Sequence, residues 1–266
     1  MARTALTSGA CGRGTLSCEE FVLVSACAEG CNEMQHWTRG GEVYSQSGPA
    51  PSGVVATVIG FVAALYLAWT GAWLILPMME TGWGWPTTAD ERTFYWTMMR
   101  VLLWIAPSWL VFRYTGFSVR KAMRGDGVGP ALMWGVGAGF LIGVEAIVRK
   151  WLLSQPYSLP FSWTLVSVVF VVPIVEEFVF RGVVMGGLMR RYRFAVANVI
   201  SSLLFVGAHV PGWYFSGVLS ERLLQPIGGA ASIFVLGLIF GFVVRQSRSL
   251  AAGMIAHGLN NFFSVL

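Results

Sequence analysis

Long apolar runs separated by short polar or basic stretches dominate the chain. They cover Val54 to Met79, Phe94 to Phe112, Val128 to Val148, Phe161 to Met189, Phe194 to Val210, Ile227 to Val244 and Leu250 to Leu266. Each approaches the roughly 20 residues a helix needs to cross a hydrocarbon core about 30 Å thick. None alternates with period two. In lipid only helices and closed barrels satisfy their own backbone polar groups, so continuous runs of this kind predict helices. The pattern therefore predicts an all-α fold, a polytopic membrane bundle of about seven transmembrane helices. Residues 1–50 read as a tail, 51–150 as three N-terminal spans and 151–266 as a four-helix core.

Composition sharpens this. Hydrophobic residues make up 55% of the chain and charged ones 12%. Counting Gly in place of Tyr lifts the apolar share to roughly 64%, against about 45–50% in a soluble domain. A water-soluble globule is excluded. The formal net charge is +5, but the basic residues form no aromatic-interleaved stripe, so no nucleic-acid partner is expected. They cluster in loops instead. Arg113, Arg120, Lys121 and Arg124 follow the second run, Arg190, Arg191 and Arg193 the fourth, and Arg245 and Arg248 the sixth. The other side holds only Arg92, Arg149, Lys150 and Arg222. The positive-inside rule then places the tail in the cytoplasm and the C-terminus outside. The expectation is a multi-pass integral membrane protein, in the cytoplasmic membrane if the source is prokaryotic, with membrane lipid as its surroundings.

The tail carries Cys11, Cys18, Cys27 and Cys31 at spacings that match no zinc ribbon or thioredoxin motif. It reads as a disordered extension, with Met34 a candidate start. Among the 32 glycines, Gly135, Gly139 and Gly143, Gly182 and Gly186, and Gly237 and Gly241 recur every fourth residue. Such faces let helix backbones approach closely in lipid. Trp83, Trp85, Trp96 and Trp151 fall at or near the ends of runs, where an interfacial belt is expected.

Ionisable side chains within a bilayer are costly, and so are candidates for function. The fourth run contains Glu176-Glu177-Phe-Val-Phe-Arg181, the fifth Phe205-Val-Gly-Ala-His209, the seventh His257-Gly-Leu-Asn-Asn261. Arg181 lies one turn beyond Glu177 and on its face, which predicts an (i, i+4) ion pair. Glu176 points elsewhere. A paired carboxylate becomes structural, whereas its desolvated neighbour suits proton transfer near neutral pH. His257 and Asn261 share a face and supply the donors of an oxyanion site. Counted from the basic loops, Glu176, His209 and Asn261 lie roughly 20 to 24 Å deep and His257 about 14 Å, so one polar cluster near the bilayer centre is feasible.

These three motifs, in this order on successive membrane helices, resemble the CPBP family of intramembrane endopeptidases. This is the CAAX-processing and bacteriocin-processing group, also called the Abi family, and the likeness extends to type II CAAX prenyl endopeptidases. It covers about residues 161 to 266. It implies hydrolysis of a peptide bond by a glutamate-activated water, near the C-terminus of a prenylated or membrane-associated substrate. Glu176 would be the base and His209 would help hold the water. His257 and Asn261 would stabilise the oxyanion, Glu177 and Arg181 would brace the site, and Phe205 would pack within it. No cofactor is required on that mechanism. The resemblance also implies a cavity open toward the cytoplasm.

Other readings stand beside this one. The carboxylates could serve only as an ion-pair network. Glu176, His209 and His257 could ligate zinc, although no His-Glu-x-x-His is present to present two imidazoles and a base together. A proton-coupled transporter, or a non-catalytic immunity or scaffold protein, could keep the same cluster. No serine elbow or intramembrane aspartate pair supports another protease class. Arg100, seven residues into the second run, is read as snorkelling or internally paired, outside the site. Glu145 and Arg149 read as an interfacial pair.

Overall fold

A computed structural model describes residues 53–115, 118–159 and 161–266. The expectations for residues 1–50, with their four cysteines, lie outside the described residues. Every regular element within them is a helix.

Seven long helices and two short ones follow in order. They are α1 Val54–Trp83, α2 spanning residues 89–114, α3 Val119–Arg124, α4 Val128–Leu152, α5 Trp163–Leu188, α6 Phe194–Phe215, α7 Leu219–Leu224, α8 Ala230–Ser247 and α9 Leu250–Val265. All seven apolar runs are thus helical. Five of them, α1, α4, α5, α6 and α8, are long and apolar enough to cross a membrane. The other two fall short for different reasons. Arg100, with Pro107 and Ser108, lowers the hydropathy of α2, and the 16 residues of α9 reach only about 24 Å.

Local chemistry sets the boundaries. At α2 the Thr88 side chain accepts from the Glu91 N–H while the Glu91 carboxylate returns to the Thr88 N–H, a reciprocal capping box that satisfies two otherwise orphaned donors. The backbone N–H groups of Thr87 and Thr88 and the Thr87 hydroxyl hold the Glu91 carboxyl below the usual carboxylate range. The C-terminal end of α1 closes on Gly84 at φ 63, a left-handed conformation that glycine adopts without steric penalty.

α5 lies at the centre. Val179, Phe180, Val183, Val184 and Met185 are fully buried, and α1, α2, α6, α8 and α9 all pack on this helix. α4 stands outside, against α9 and α8. The α4–α9 contact uses the glycine face read in the sequence. A Cβ at Gly135 would come within 2.8 Å of the Ala252 carbonyl oxygen, and one at Gly139 within 2.7 Å of Leu259 Cβ. The outward face is apolar, with Leu67, Leu141 and Phe161 more than three-quarters exposed. Such a surface suits contact with lipid. Glu145 and Arg149 pair at 3.4 Å on the exposed part of α4. Trp83 and Trp151 are also exposed, as a belt would have them. Trp96 differs from that expectation. Its ring lies 4.1 Å from Trp73 and 5.2 Å from Trp69, because the neighbouring indoles on α1 offer it a larger aromatic contact than the interface would.

Candidate active site

α5 is not a uniform helix. Two stretches of wider π-helical turn, Ser167–Val171 and Phe178–Met185, bracket the α-helical segment Val172–Glu177. The first has a visible cause in Pro173. Its nitrogen cannot donate and its ring crowds the carbonyls one turn back. One of those carbonyls, Val168, accepts instead from Asn261 Nδ2 of α9 at 2.9 Å. The next, Val169, lies so close to α9 that a Cβ at Gly258 would come within 2.7 Å of its oxygen. Proline on one helix and the Gly258–Asn261 pair on the other thus lock α5 to α9, next to His257.

The two glutamates that follow are treated differently. Glu177 is wholly buried, and its Oε1 accepts from Arg181 Nη1 at 3.1 Å and from His257 Nδ1 at 3.0 Å. Arg181, equally buried, donates through Nη2 to the Gly237 carbonyl of α8 at 2.9 Å. Its guanidinium also lies 4.7 Å from the centre of the Phe205 ring on α6. One ion pair therefore ties α5, α6, α8 and α9 together. Close approach at Gly237 is required, since a Cβ there would stand 3.3 Å from Arg181 Nη2.

Glu176 faces the other way, onto a cavity of about 480 Å³ that it shares with Trp69, Trp104, Arg100, His209 and Trp213. His257 Nε2 lies 3.8 Å from its Oε2. Because His257 gives its Nδ1 proton to Glu177, that Nε2 is the ring atom turned toward Glu176 and the reaction space. His209 is oriented by the same logic. Its Nδ1 stands 2.9 Å from the Phe205 carbonyl oxygen. A carbonyl only accepts, so Nδ1 carries the hydrogen and neutral His209 keeps the Nε2 lone pair free. Phe205 forms the wall between the imidazoles, 5.0 Å from His209 and 6.0 Å from His257 by ring centres. The His257 ring also stacks on Phe240, 4.6 Å between ring centres.

The structure thus brings Glu176, Glu177, Arg181, Phe205 and His257 together, with His209 on the same cavity wall. Asn261 is a turn further along α9, and one of its N–H donors is already engaged by Val168. No three His, Cys, Asp or Glu side chains among the described residues converge in a metal-binding arrangement, Glu176, His209 and His257 included.

Sequence reasoning left Arg100 outside the site, yet Arg100 lines the same cavity as Glu176. The available signal was its depth within an apolar run. The tryptophans of the wall carried no comparable signal. The cavity runs from Ala208 and His209 to Ser216, Val218 and Arg222, all toward or beyond the C-terminal end of α6. Its mouth is therefore at the end of the bundle away from Arg190, Arg191 and Arg193, which precede α6.

Residues 158–263 match the family model of Rce1-like, type II CAAX prenyl endopeptidases. This segment contains every motif that carried the resemblance. The chain is also similar to a Bacillus subtilis (strain 168) protein described as "Putative membrane peptidase YdiL", 21% identical over 217 residues, which cover 73% of this chain and 82% of that protein. No solved structure matches the chain. The resemblance to the CPBP endopeptidases holds, and with it the coarser statement that this is a multi-pass integral membrane protein of peptidase type.

Proposed function

Starting from that kinship, we propose that the protein is an intramembrane endopeptidase in which Glu176 activates a water for attack on a peptide bond. The observation that carries this reading is the division of labour between adjacent acids. Glu177 is consumed by Arg181 and His257, whereas Glu176 opens onto the cavity beside a histidine with a free ring nitrogen. Water held between Glu176 and His209 Nε2 would lose its proton to the carboxylate as it attacks the carbonyl, and Glu176 would return that proton to the leaving amine as the C–N bond breaks. His257 Nε2, once protonated, would face the developing oxyanion, and the braced Glu177 would stabilise its imidazolium. Asn261 would add its remaining N–H donor. No covalent enzyme intermediate is needed.

The basic loops after α2, α5 and α8 belong on the cytoplasmic face. That puts the cavity mouth on the opposite face, the reverse of what the resemblance implies. Substrate then reaches the site from the non-cytoplasmic side or laterally from the bilayer. A membrane-associated peptide fits this geometry better than a cytosolic prenylated tail.

The test is cleavage of a peptide library, with prenylated and unprenylated members, by the full chain purified in detergent. Product from the wild type that is absent with Glu176→Gln and insensitive to chelator supports the glutamate mechanism. Chelator-sensitive product moves the chemistry to zinc. No product from either folded protein turns the assignment toward a transporter or scaffold.

A further inference from the structure

A second cavity, of about 870 Å³, lies between α4, α8 and α9 and shares no lining residue with the one that holds Glu176. It is a groove with two chemistries. Leu141, Ile142, Val235, Leu236 and Ile239 line one part, and Leu141 and Val235 are more than half exposed. Glu145, Arg149, Ser232, Asn260 and Ser264 line the other. These polar residues occupy the last turns of α4 and α9 and the first turn of α8, at the end of the bundle away from the basic loops. From Arg149 back to Ala138 the groove follows α4 for roughly 16 Å. That is the depth of one leaflet, half of a hydrocarbon core about 30 Å thick, and too short for a partner helix that spans the bilayer.

The polar end is held in place by its own hydrogen bonds. The Gly228 N–H donates to Ser232 Oγ at 2.8 Å, and that hydroxyl donates to the Gly229 carbonyl at 3.0 Å, which fixes the loop at the rim. Ser264 Oγ donates to the Asn260 carbonyl at 2.8 Å, and Asn260 Nδ2 donates to Asn261 Oδ1 at 3.2 Å. The Asn260 carboxamide is thus oriented, with its Oδ1 left as an acceptor. Glu145 and Arg149 are 54% and 39% exposed as side chains, and their 3.4 Å contact, through Arg149 Nε, is not a hydrogen bond. An exposed pair of this kind is weak, so both charges remain available to a ligand.

A ligand for this groove has to be apolar over the depth of one leaflet and carry opposite charges side by side at the interface. A net anion would be repelled by Glu145 and a net cation by Arg149. We propose that the groove holds one acyl chain of a phospholipid with a phosphoethanolamine headgroup, its phosphate on Arg149 and its primary ammonium on Glu145 and Asn260 Oδ1. The guanidinium fork matches phosphate oxygens, and a primary ammonium has N–H donors for the two acceptors. A choline headgroup has no such donors and is recognised by aromatic cages instead. Among the described residues no aromatic side chain lines the groove.

The experiment uses the full chain, purified in detergent and stripped of lipid, with dioleoyl phospholipids bearing ethanolamine, choline or glycerol headgroups. Native mass spectrometry counts the lipids retained per chain. It requires no peptide cleavage, so its outcome is independent of the endopeptidase reading. One ethanolamine lipid per chain is expected, held about tenfold more tightly than the choline or glycerol lipid, and its addition should raise the thermal unfolding midpoint. Arg149→Gln should weaken binding of all three, and so should Leu236→Trp, which fills the apolar part. Glu145→Gln should shift the preference to the anionic glycerol lipid, because Arg149 then stands without its neighbouring acid. Loss of a merely structural ion pair would lower stability without changing headgroup selectivity. Equal retention of the three lipids by the wild type, retention of none, a dimer mass with no bound lipid, or an unchanged ethanolamine preference in Glu145→Gln overturns the proposal.

Discussion

Glu176 and Glu177 are neighbours with identical chemistry, and the 100° step of a helix is enough to send one into an ion-pair network and the other to a cavity. Replacing Glu176 with Gln keeps shape and removes the proton acceptor. Peptide cleavage should fall by about 10²- to 10⁴-fold, while the thermal unfolding midpoint in detergent stays close to that of the wild type. Glu177 and Arg181 should behave in the opposite way. Removing either leaves an uncompensated charge in a site with no solvent contact, so Arg181→Ala should destabilise the protein by roughly 3–5 kcal/mol. A large drop in unfolding midpoint and yield would record it, whatever the activity. Equal stability losses for Glu176→Gln and Arg181→Ala would contradict the division between the two acids.

At the scale of elements, helix contacts depend on missing side chains and on interrupted hydrogen bonding. Gly135 faces Ala252 on α9 so closely that a methyl group would meet backbone, whereas Gly137, two residues on, has open space around it. Gly135→Ala should therefore cost about 1–3 kcal/mol through overpacking. Gly137→Ala should be neutral or slightly stabilising, because alanine favours the helix. The difference between their unfolding midpoints measures the α4–α9 contact directly. Pro173 acts in the same layer of organisation. By withholding a donor it leaves Val168 to Asn261, so the wide turn in α5 and the polar end of α9 are two parts of one joint. Asn261→Leu should loosen this joint and lower the midpoint even with Glu176→Gln already present, where activity no longer contributes to the reading.

For the whole molecule, the direction of the cavity is the consequential property. Its mouth is rimmed by Ser216, Val218 and Arg222, and the basic loops lie at the other end of the same helices. With Cys11, Cys18, Cys27 and Cys31 replaced by serine, a cysteine placed by Ser216→Cys should react with a membrane-impermeant thiol reagent applied to intact cells. One placed by Arg191→Cys should react only after the membrane is permeabilised. The reverse labelling pattern would put the mouth on the cytoplasmic face and return cytosolic peptide tails to consideration as substrates.

Much of this was present in the order of residues alone. Seven apolar runs became seven helices because lipid allows few other ways to satisfy a backbone, and the spacing of Glu177 and Arg181 implied their ion pair because helical periodicity is local. The same local rule separated Glu176 from Glu177. Arg100 lay beyond such reasoning, since its place on the cavity wall depends on which helix faces α2, and the contacts that settle this, Thr93 with Thr164 and Thr97 with Ser167, join residues about 70 positions apart. Trp96 entered an aromatic cluster for the same reason, its partners Trp69 and Trp73 being on another helix. Asn261 met Val168 only after a proline had freed the carbonyl. Periodicity and hydropathy are properties of neighbouring residues and survive in the sequence. A cavity, its mouth and the arginine on its wall arise only when separate helices converge, and tertiary packing decided them.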